Sequence, residues 1–255
     1  MNQQQRPDAL EELLRVLPAA AVAFSGGADS AYLLWAARAA GVRLRAYFVK
    51  TPFQPRFELE DAVRLCRGLA VPLTVLPLDV LEREAVAQNG PDRCYHCKRA
   101  MFTALRAAAL RDGFDTVLDG TNASDDAADR PGMRALQELQ VLSPLRLAGL
   151  SKDEVRRRSR AAGLFTWDKP AYACLATRVS AGTAITRELL ETTEAAEGFL
   201  AALGFSDFRV RWEAGAARLQ LKEAQLPLLL AHRTEILARL RPHYRAVLLD
   251  LEGRG

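Results

Sequence analysis

The sequence has no apolar run long enough to span a bilayer, and its opening residues, Met1 to Pro7, are polar. Neither a signal peptide nor a transmembrane helix is therefore expected, and the protein is read as cytoplasmic. Cysteine is scarce, with four in 255 residues. In a cytoplasmic chain those four are read as catalytic, metal-binding or buried rather than as disulfides. Aromatic residues make up only 7% and the net charge is a mild +4, which does not describe a basic, aromatic-rich surface for nucleic acid. There is no Gly-x-Gly-x-x-Gly turn, no Walker loop ending in Gly-Lys-Ser/Thr, no internal repeat and no low-complexity segment. What remains is ample apolar material, 49% of the chain, enough for one large or two modest cores.

One stretch is chemically specific. Ala21-Val22-Ala23-Phe24 reads as a short buried strand, and Ser25-Gly26-Gly27-Ala28-Asp29-Ser30 as a tight turn into a helix. Glycines let a backbone fold closely around an anion, and the first amides of a helix point at it with the positive end of the dipole behind them. The hydroxyls of Ser25 and Ser30 add donors. Asp29 would repel a phosphate unless a divalent cation stood between them, so the pattern implies Mg²⁺ beside a pyrophosphate.

The remaining elements alternate. Helices are expected over 30–40, 56–69 and 93–111, and strands over 43–49, 73–76 and 116–118, an order that builds right-handed βαβ units and a parallel sheet covered on both faces. Ligands on such sheets sit beyond the carboxyl ends of the strands. Lys50 and the run Asp119-Gly120-Thr121-Asn122 fall there with the glycine loop: Lys50 can meet a phosphate, and the run can hold ribose, adenine or metal. From about residue 180 the pattern changes to a helix capped by Thr186, two short strands over 207–212 and 217–221, a helix over 226–240 and a last strand over 245–251. The expectation is an α/β domain over 1–180 and a small α+β domain over 181–255.

Cys94 and Cys97 form a Cys-x-x-Cys at a helix start, where the dipole favours thiolates, and Cys174 lies far downstream. A dithiol redox pair needs only the first two but leaves the glycine loop unexplained. Structural zinc would need four ligands, with Cys66 the one thiol left to complete the set. An iron–sulfur cluster held by three cysteines, with one iron open, also fits the count. Cys66 itself lies inside an apolar helical pattern and reads as a small buried hydrophobe.

Taken together, the Ser25–Ser30 loop, Asp92-Arg93-Cys94-Tyr95-His96-Cys97-Lys98, the run from Asp119 to Asp126, Arg130-Pro131-Gly132, Ser143-Pro144-Leu145, Ser151-Lys152-Asp153-Glu154-Val155-Arg156, the stretch from Lys169 to Arg178, and Phe208-Arg209-Val210-Arg211 resemble the PP-loop ATP-dependent sulfur transferases of the LarE family. Members of that family build the thiocarboxylates of the nickel-pincer nucleotide cofactor. The resemblance implies that ATP, with Mg²⁺, adenylates a carboxylate of a small pyridinium mononucleotide, and that sulfur then replaces AMP. It also implies the following assignments. Ser25, Gly26, Gly27, Asp29 and Ser30 hold the phosphates, with Asp29 and Ser30 acting in the chemistry. Cys174 matches the sulfur-donating position, and with Cys94 and Cys97 it would hold a [4Fe-4S] cluster. Arg178, Arg209 and Arg211 would bind the substrate phosphate, and Glu197 would lie at a Mg²⁺. A homo-oligomer is expected, as in the family. One departure is visible: Asp129 runs directly into Arg130-Pro131-Gly132, without the aromatic residue usual in the family. Two rival readings stand beside this one, a PP-loop tRNA thiolase and a non-catalytic metal or iron–sulfur carrier, the second of which would leave the ATP loop surplus.

Overall fold

The segments Ala19–Ala23 (β1), Arg43–Lys50 (β2), Leu73–Pro77 (β3) and Val117–Leu118 (β4) pair in the order β3-β2-β1-β4, and every pairing is parallel. In β1 and β2, residues of both parities are buried: Ala20, Ala21 and Val22, then Ala46 to Val49. That is what a sheet covered on both faces requires. A computed structural model describes residues 8–125, 131–170 and 172–253. The Asp129–Arg130 departure noted above lies outside the described residues.

Contacts divide the chain into two units. The first comprises Met1–Thr51, Arg56–Asp79 and Cys94–Tyr172, and the second Pro52–Pro55, Val80–Arg93 and Ala173–Gly255. The division thus falls at 172/173 where the sequence suggested 180/181, and two short excursions join the second unit. Neither Pro52–Pro55 nor Val80–Arg93 carries a compositional mark, so no linear reading isolates them.

The first unit carries helices α1 (Ala9–Arg15), α2 (Ala28–Ala39), α3 (Arg56–Gly68), α4 (Arg93–Arg111), α5 (Pro131–Glu138), α6 (Pro144–Leu147) and α7 (Lys152–Ala161). Alternate residues of the strands face opposite ways. Ala20, Val22, Ala46 and Phe48 pack with Leu10 and Leu14 of α1, Leu33 and Leu34 of α2, Leu65 of α3 and Val155 of α7, while Ala21, Tyr47 and Val49 pack with Leu105, Ala108 and Ala109 of α4. The chain runs from β1 through β2 to β3 on one side, and β4 lies on the other side of β1. The order reverses at β1, so the loops leaving β1 and β4 lie side by side at the carboxyl edge, the usual ligand position.

The second unit is built on a sheet of Arg209–Glu213 (β5), Ala216–Gln220 (β6) and Ala246–Leu249 (β7), antiparallel between β5 and β6 and parallel between β6 and β7. Ala214 and Gly215, both at positive φ, make the hairpin turn. Helix α8 (Arg187–Ala202) is capped by Thr186, whose hydroxyl accepts the Leu189 N–H. Its Ala196 and Leu200 pack on Val210, Leu219, Ile236 and Leu240. The single helix expected over 226–240 is two, α9 (Leu226–Ala231) and α10 (Arg233–Leu240), because His232 leaves helical geometry at ψ 13°. The excursions are tied in by hydrogen bonds: Leu175 donates to the Phe53 carbonyl, Ile185 to Ala87 and Gly182 to Asn89. No helix among the described residues is long and apolar enough to cross a membrane.

Candidate active site

The loop after β1 is shaped by its glycines. Gly26 has φ +75°, and a Cβ there would stand 2.7 Å from the Glu58 carbonyl oxygen of α3, so backbone conformation and space both require glycine. Gly27 is the N-cap of α2 and supplies no side chain to its first amides, which leaves those amides for a ligand. The serines brace the turn. Ser30 Oγ donates to the Gly27 carbonyl at 3.2 Å, lies 3.1 Å from Ser25 Oγ, and accepts the Ser25 N–H at 3.3 Å.

Asp29 stands in the first turn of α2 and pairs through Oδ2 with Lys152 Nζ, from the first residue of α7. Its other oxygen, Oδ1, is buried and has no hydrogen-bond partner among the described residues. A buried carboxylate oxygen left unpaired is costly, and a hard cation is the partner that suits it. Hence the loop residues fit a phosphate-bound Mg²⁺. Lys152 places an ammonium group beside the same loop.

The loop after β4 presses on this site through backbone. A Cβ on Gly120 would meet the Ser30 amide nitrogen at 2.8 Å. The side chains beside it are engaged locally: Asp119 accepts Thr121 Oγ1 and Ser143 Oγ, both at 2.5 Å, and Asn122 Oδ1 accepts the Ser124 N–H at 2.9 Å. Asp119, Thr121 and Asn122 thus shape the loop, with backbone and Gly120 facing α2. Lys50 closes β2 and is half-buried at the same edge. Lys169 is a further member, donating to the Gly26 carbonyl at 3.1 Å and to Asp61 of α3 at 2.7 Å. It fixes the Gly26 carbonyl and with it the orientation of the Gly26–Gly27 peptide. Neither Lys152 nor Lys169 stood out in the sequence as a site residue, and their occurrence in Ser151–Arg156 and in the run to Arg178 was the available signal.

None of the four cysteines is in a disulfide. Cys94 is exposed and Cys97 buried near the start of α4, with Cys97 Sγ 3.7 Å from Met101 Sδ. Cys174 belongs to the second unit and is half-exposed. Cys66 is buried in α3, where burial pushes its thiol up to about 12. Among the described residues no group of three or more His, Cys, Asp or Glu is arranged to hold a metal ion.

In the second unit, Arg178 is 1% exposed and Glu197 6%; the family resemblance implies ligands for phosphate and Mg²⁺ at these positions. The guanidinium donates through Nε at 2.7 Å and Nη2 at 3.1 Å to the two Glu197 oxygens, and through Nη1 to the Ala173 carbonyl at 2.8 Å and Thr177 Oγ1 at 3.0 Å. Glu197 also accepts the Val210 N–H at 3.0 Å. A phosphate or a metal would have to break this buried pair to use either residue. Arg209 and Arg211 share the face of β5 opposite buried Val210. Arg211 donates to Gln220 Oε1 at 2.5 Å and to the Thr177 carbonyl at 2.9 Å.

A parallel α/β sheet whose switch point carries a Ser-Gly-Gly-x-Asp-Ser loop defines the class, an ATP-using enzyme of the PP-loop type. No family model matches the sequence. The chain is 32% identical over 96% of its length to the pyridinium-3,5-bisthiocarboxylic acid mononucleotide synthase of Lactiplantibacillus plantarum, of which it covers 88%, and it belongs to that protein's family, the LarE-type sulfur transferases. It is also 34% identical over 88% of its length to an uncharacterized protein of Synechocystis, covering 84% of that protein. A more distant likeness, 25% over 56% of the chain and 52% of the relative, is to the tRNA-specific 2-thiouridylase MnmA of a Thermotoga species. That likeness is partial, so the tRNA reading is not favoured, and the carrier reading gives way to an enzyme.

Proposed function

We propose that the chain activates a carboxylate of a pyridinium mononucleotide with ATP and exchanges the activated oxygen for sulfur, giving a thiocarboxylate. The observation that carries this reading is the pair of groups at the glycine loop: Asp29 with one buried oxygen unpaired, beside the α2 amides and the Lys152 cation. Mg²⁺, when bound, would be held by Asp29 and would neutralise charge developing on the leaving pyrophosphate. The chain's own groups do the rest. The α2 amides and Ser25 and Ser30 receive the β and γ phosphates, Lys152 offsets their charge, and Lys169 keeps the loop carbonyl turned away from them. A carboxylate oxygen attacks the α-phosphorus, the α–β bridge bond breaks, and pyrophosphate leaves.

Cys174 is the sulfur donor in this reading. Its thiolate displaces AMP from the acyl carbon, and loss of the Cys174 α-proton to solvent, with rupture of the Cβ–S bond, would release the thiocarboxylate and leave dehydroalanine in place of the cysteine. In the alternative source of sulfur, Cys94, Cys97 and Cys174 hold a [4Fe-4S] cluster. Arg209 and Arg211 are proposed as the substrate-phosphate contacts, since planar guanidinium matches phosphate oxygens, and the enzyme as a homo-oligomer. The test is pyrophosphate release from ATP: it should require both Mg²⁺ and a carboxylated pyridinium mononucleotide. Equal release with a nucleotide lacking the carboxylate would overturn the reading.

A further inference from the structure

We infer that the buried Arg178–Glu197 pair is a positioning device for Cys174, acting through the two carbonyls that flank its α-carbon. This rests on the reading of Cys174 as sulfur donor. Arg178 Nη1 holds the Ala173 carbonyl at 2.8 Å. The next carbonyl, that of Cys174 itself, accepts both the Thr177 N–H and Thr177 Oγ1 at 2.9 Å, and Thr177 Oγ1 is in turn 3.0 Å from Arg178 Nη1. On the far side, the Leu175 amide is held by the Phe53 carbonyl at 2.9 Å. The peptides on both sides of Cys174 are therefore pinned, while its side chain stays half-exposed.

The anchor of this clamp is Glu197. It takes two donors of Arg178 and the Val210 N–H, which fastens the short 3₁₀ turn Leu175–Arg178 to α8 and β5 together. Apolar residues would fill such a place with no desolvation cost, and replacing a buried ion pair by well-packed apolar side chains is often neutral or stabilising. A charged pair here contributes direction: the guanidinium fork delivers donors in one plane, two to the carboxylate and one to the carbonyl preceding the cysteine. A thiolate that must approach an acyl carbon from one face of the carbonyl plane needs its α-carbon held, since small displacements from attack geometry are costly.

The experiment replaces the pair by apolar side chains, Arg178→Met with Glu197→Leu, and measures melting temperature, the rate at which iodoacetamide alkylates Cys174 (by peptide mass), and thiocarboxylate formed per pyrophosphate released. In protein that stays folded at the assay temperature, as the melting curve checks, a positioning role predicts alkylation altered about fivefold or more as the segment loosens, and a yield per pyrophosphate lower by about tenfold or more. Wild-type alkylation and yield would show the pair to be merely structural and overturn the inference. Should the double variant fail to fold, Thr177→Val removes only the hydroxyl between Arg178 and the Cys174 carbonyl. It should alter Cys174 alkylation about threefold, and an unchanged rate would overturn the inference. Cys174→Ala separates the two claims. Full sulfur transfer in that variant would refute Cys174 as donor, while alkylation of the protein with Cys174 intact still judges the clamp.

Discussion

Lys152 and Asp29 are joined by an ion pair that links the first turns of α7 and α2, although 123 residues separate them in the chain. The pair occupies only one Asp29 oxygen, so the carboxylate can keep its lysine and still take a cation on the other. Asp29→Ala and Ser30→Ala are expected to lower pyrophosphate release by about 100-fold or more, the scale of losing a preorganised charge contact, with the melting temperature little changed because both lie at the edge of the core. Lys152→Met should weaken ATP binding about tenfold without removing the Mg²⁺ requirement. Wild-type rates in the Asp29 and Ser30 variants would sink the assignment of the loop.

The two loop glycines should behave differently. Gly26→Ala forces a Cβ to 2.7 Å from the Glu58 carbonyl at φ +75° and is expected to destabilise the fold by about 1–3 kcal/mol as well as to block ATP. At Gly27 the nearest atom to a new Cβ is Ser25 Oγ at 3.4 Å, and φ is −83°, so Gly27→Ala should fold normally. Equal melting temperatures for the two variants, by calorimetry, would contradict the geometry described.

Arg209→Ala and Arg211→Ala should weaken binding of the mononucleotide substrate about tenfold or more, as expected for a lost charged contact, and leave ATP affinity within about twofold. Titration calorimetry with each ligand separates the two effects. Equal losses for both ligands would assign these arginines a general structural role.

Oxygen-free reconstitution distinguishes the sources of sulfur. A cluster on Cys94, Cys97 and Cys174 predicts about four irons per chain, lost with the brown colour on replacing any one of the three by alanine. A cysteine spent in the reaction predicts instead that Cys94→Ala and Cys97→Ala still transfer one sulfur, and that the mass of Cys174 falls by that of H₂S.

Cys66 gives a pH signature of the fold. Burial pushes its thiol up to about 12 from an ordinary value near 9. A folded value raised above the unfolded one means that its contribution is fully present below pH 9 and is lost as pH rises from 9 towards 12. Unfolding curves of Cys66→Ala should therefore fall less steeply with pH in that interval than those of the wild type. Iodoacetamide at pH 8 should label exposed Cys94 long before Cys66.

How much of this was legible in the sequence depends on how local each cause is. The glycine loop could be read because Ser25, Gly27 and Ser30 bond one another within a single turn, and the parallel sheet because apolar stretches such as Ala19–Ala23 and 46–49 alternate with helical patterns. Lys169 could not, since it reaches Gly26 from 143 residues away and a solitary lysine looks like any solvated one. The pairing of Arg178 with Glu197 was hidden for a complementary reason: it comes from α8 and β5 packing over the 3₁₀ turn, which no spacing encodes. The break at His232 was hidden because the apolar pattern runs through it from Leu226 to Leu240.

The second unit is discontinuous, and this sets an order of events during synthesis. Asn89 leaves the ribosome 91 residues ahead of Ser180, whose carbonyl its side-chain amide binds at 2.8 Å, and Phe53 and Ala87 likewise precede Leu175 and Ile185. The four-stranded parallel sheet can close on the nascent chain while these early segments still wait for partners. The Cys174 segment, which needs Phe53 behind it and Glu197 and Val210 ahead of it, takes its final form only after most of the polypeptide has emerged, so Cys174 is among the last parts of the chain to reach its place.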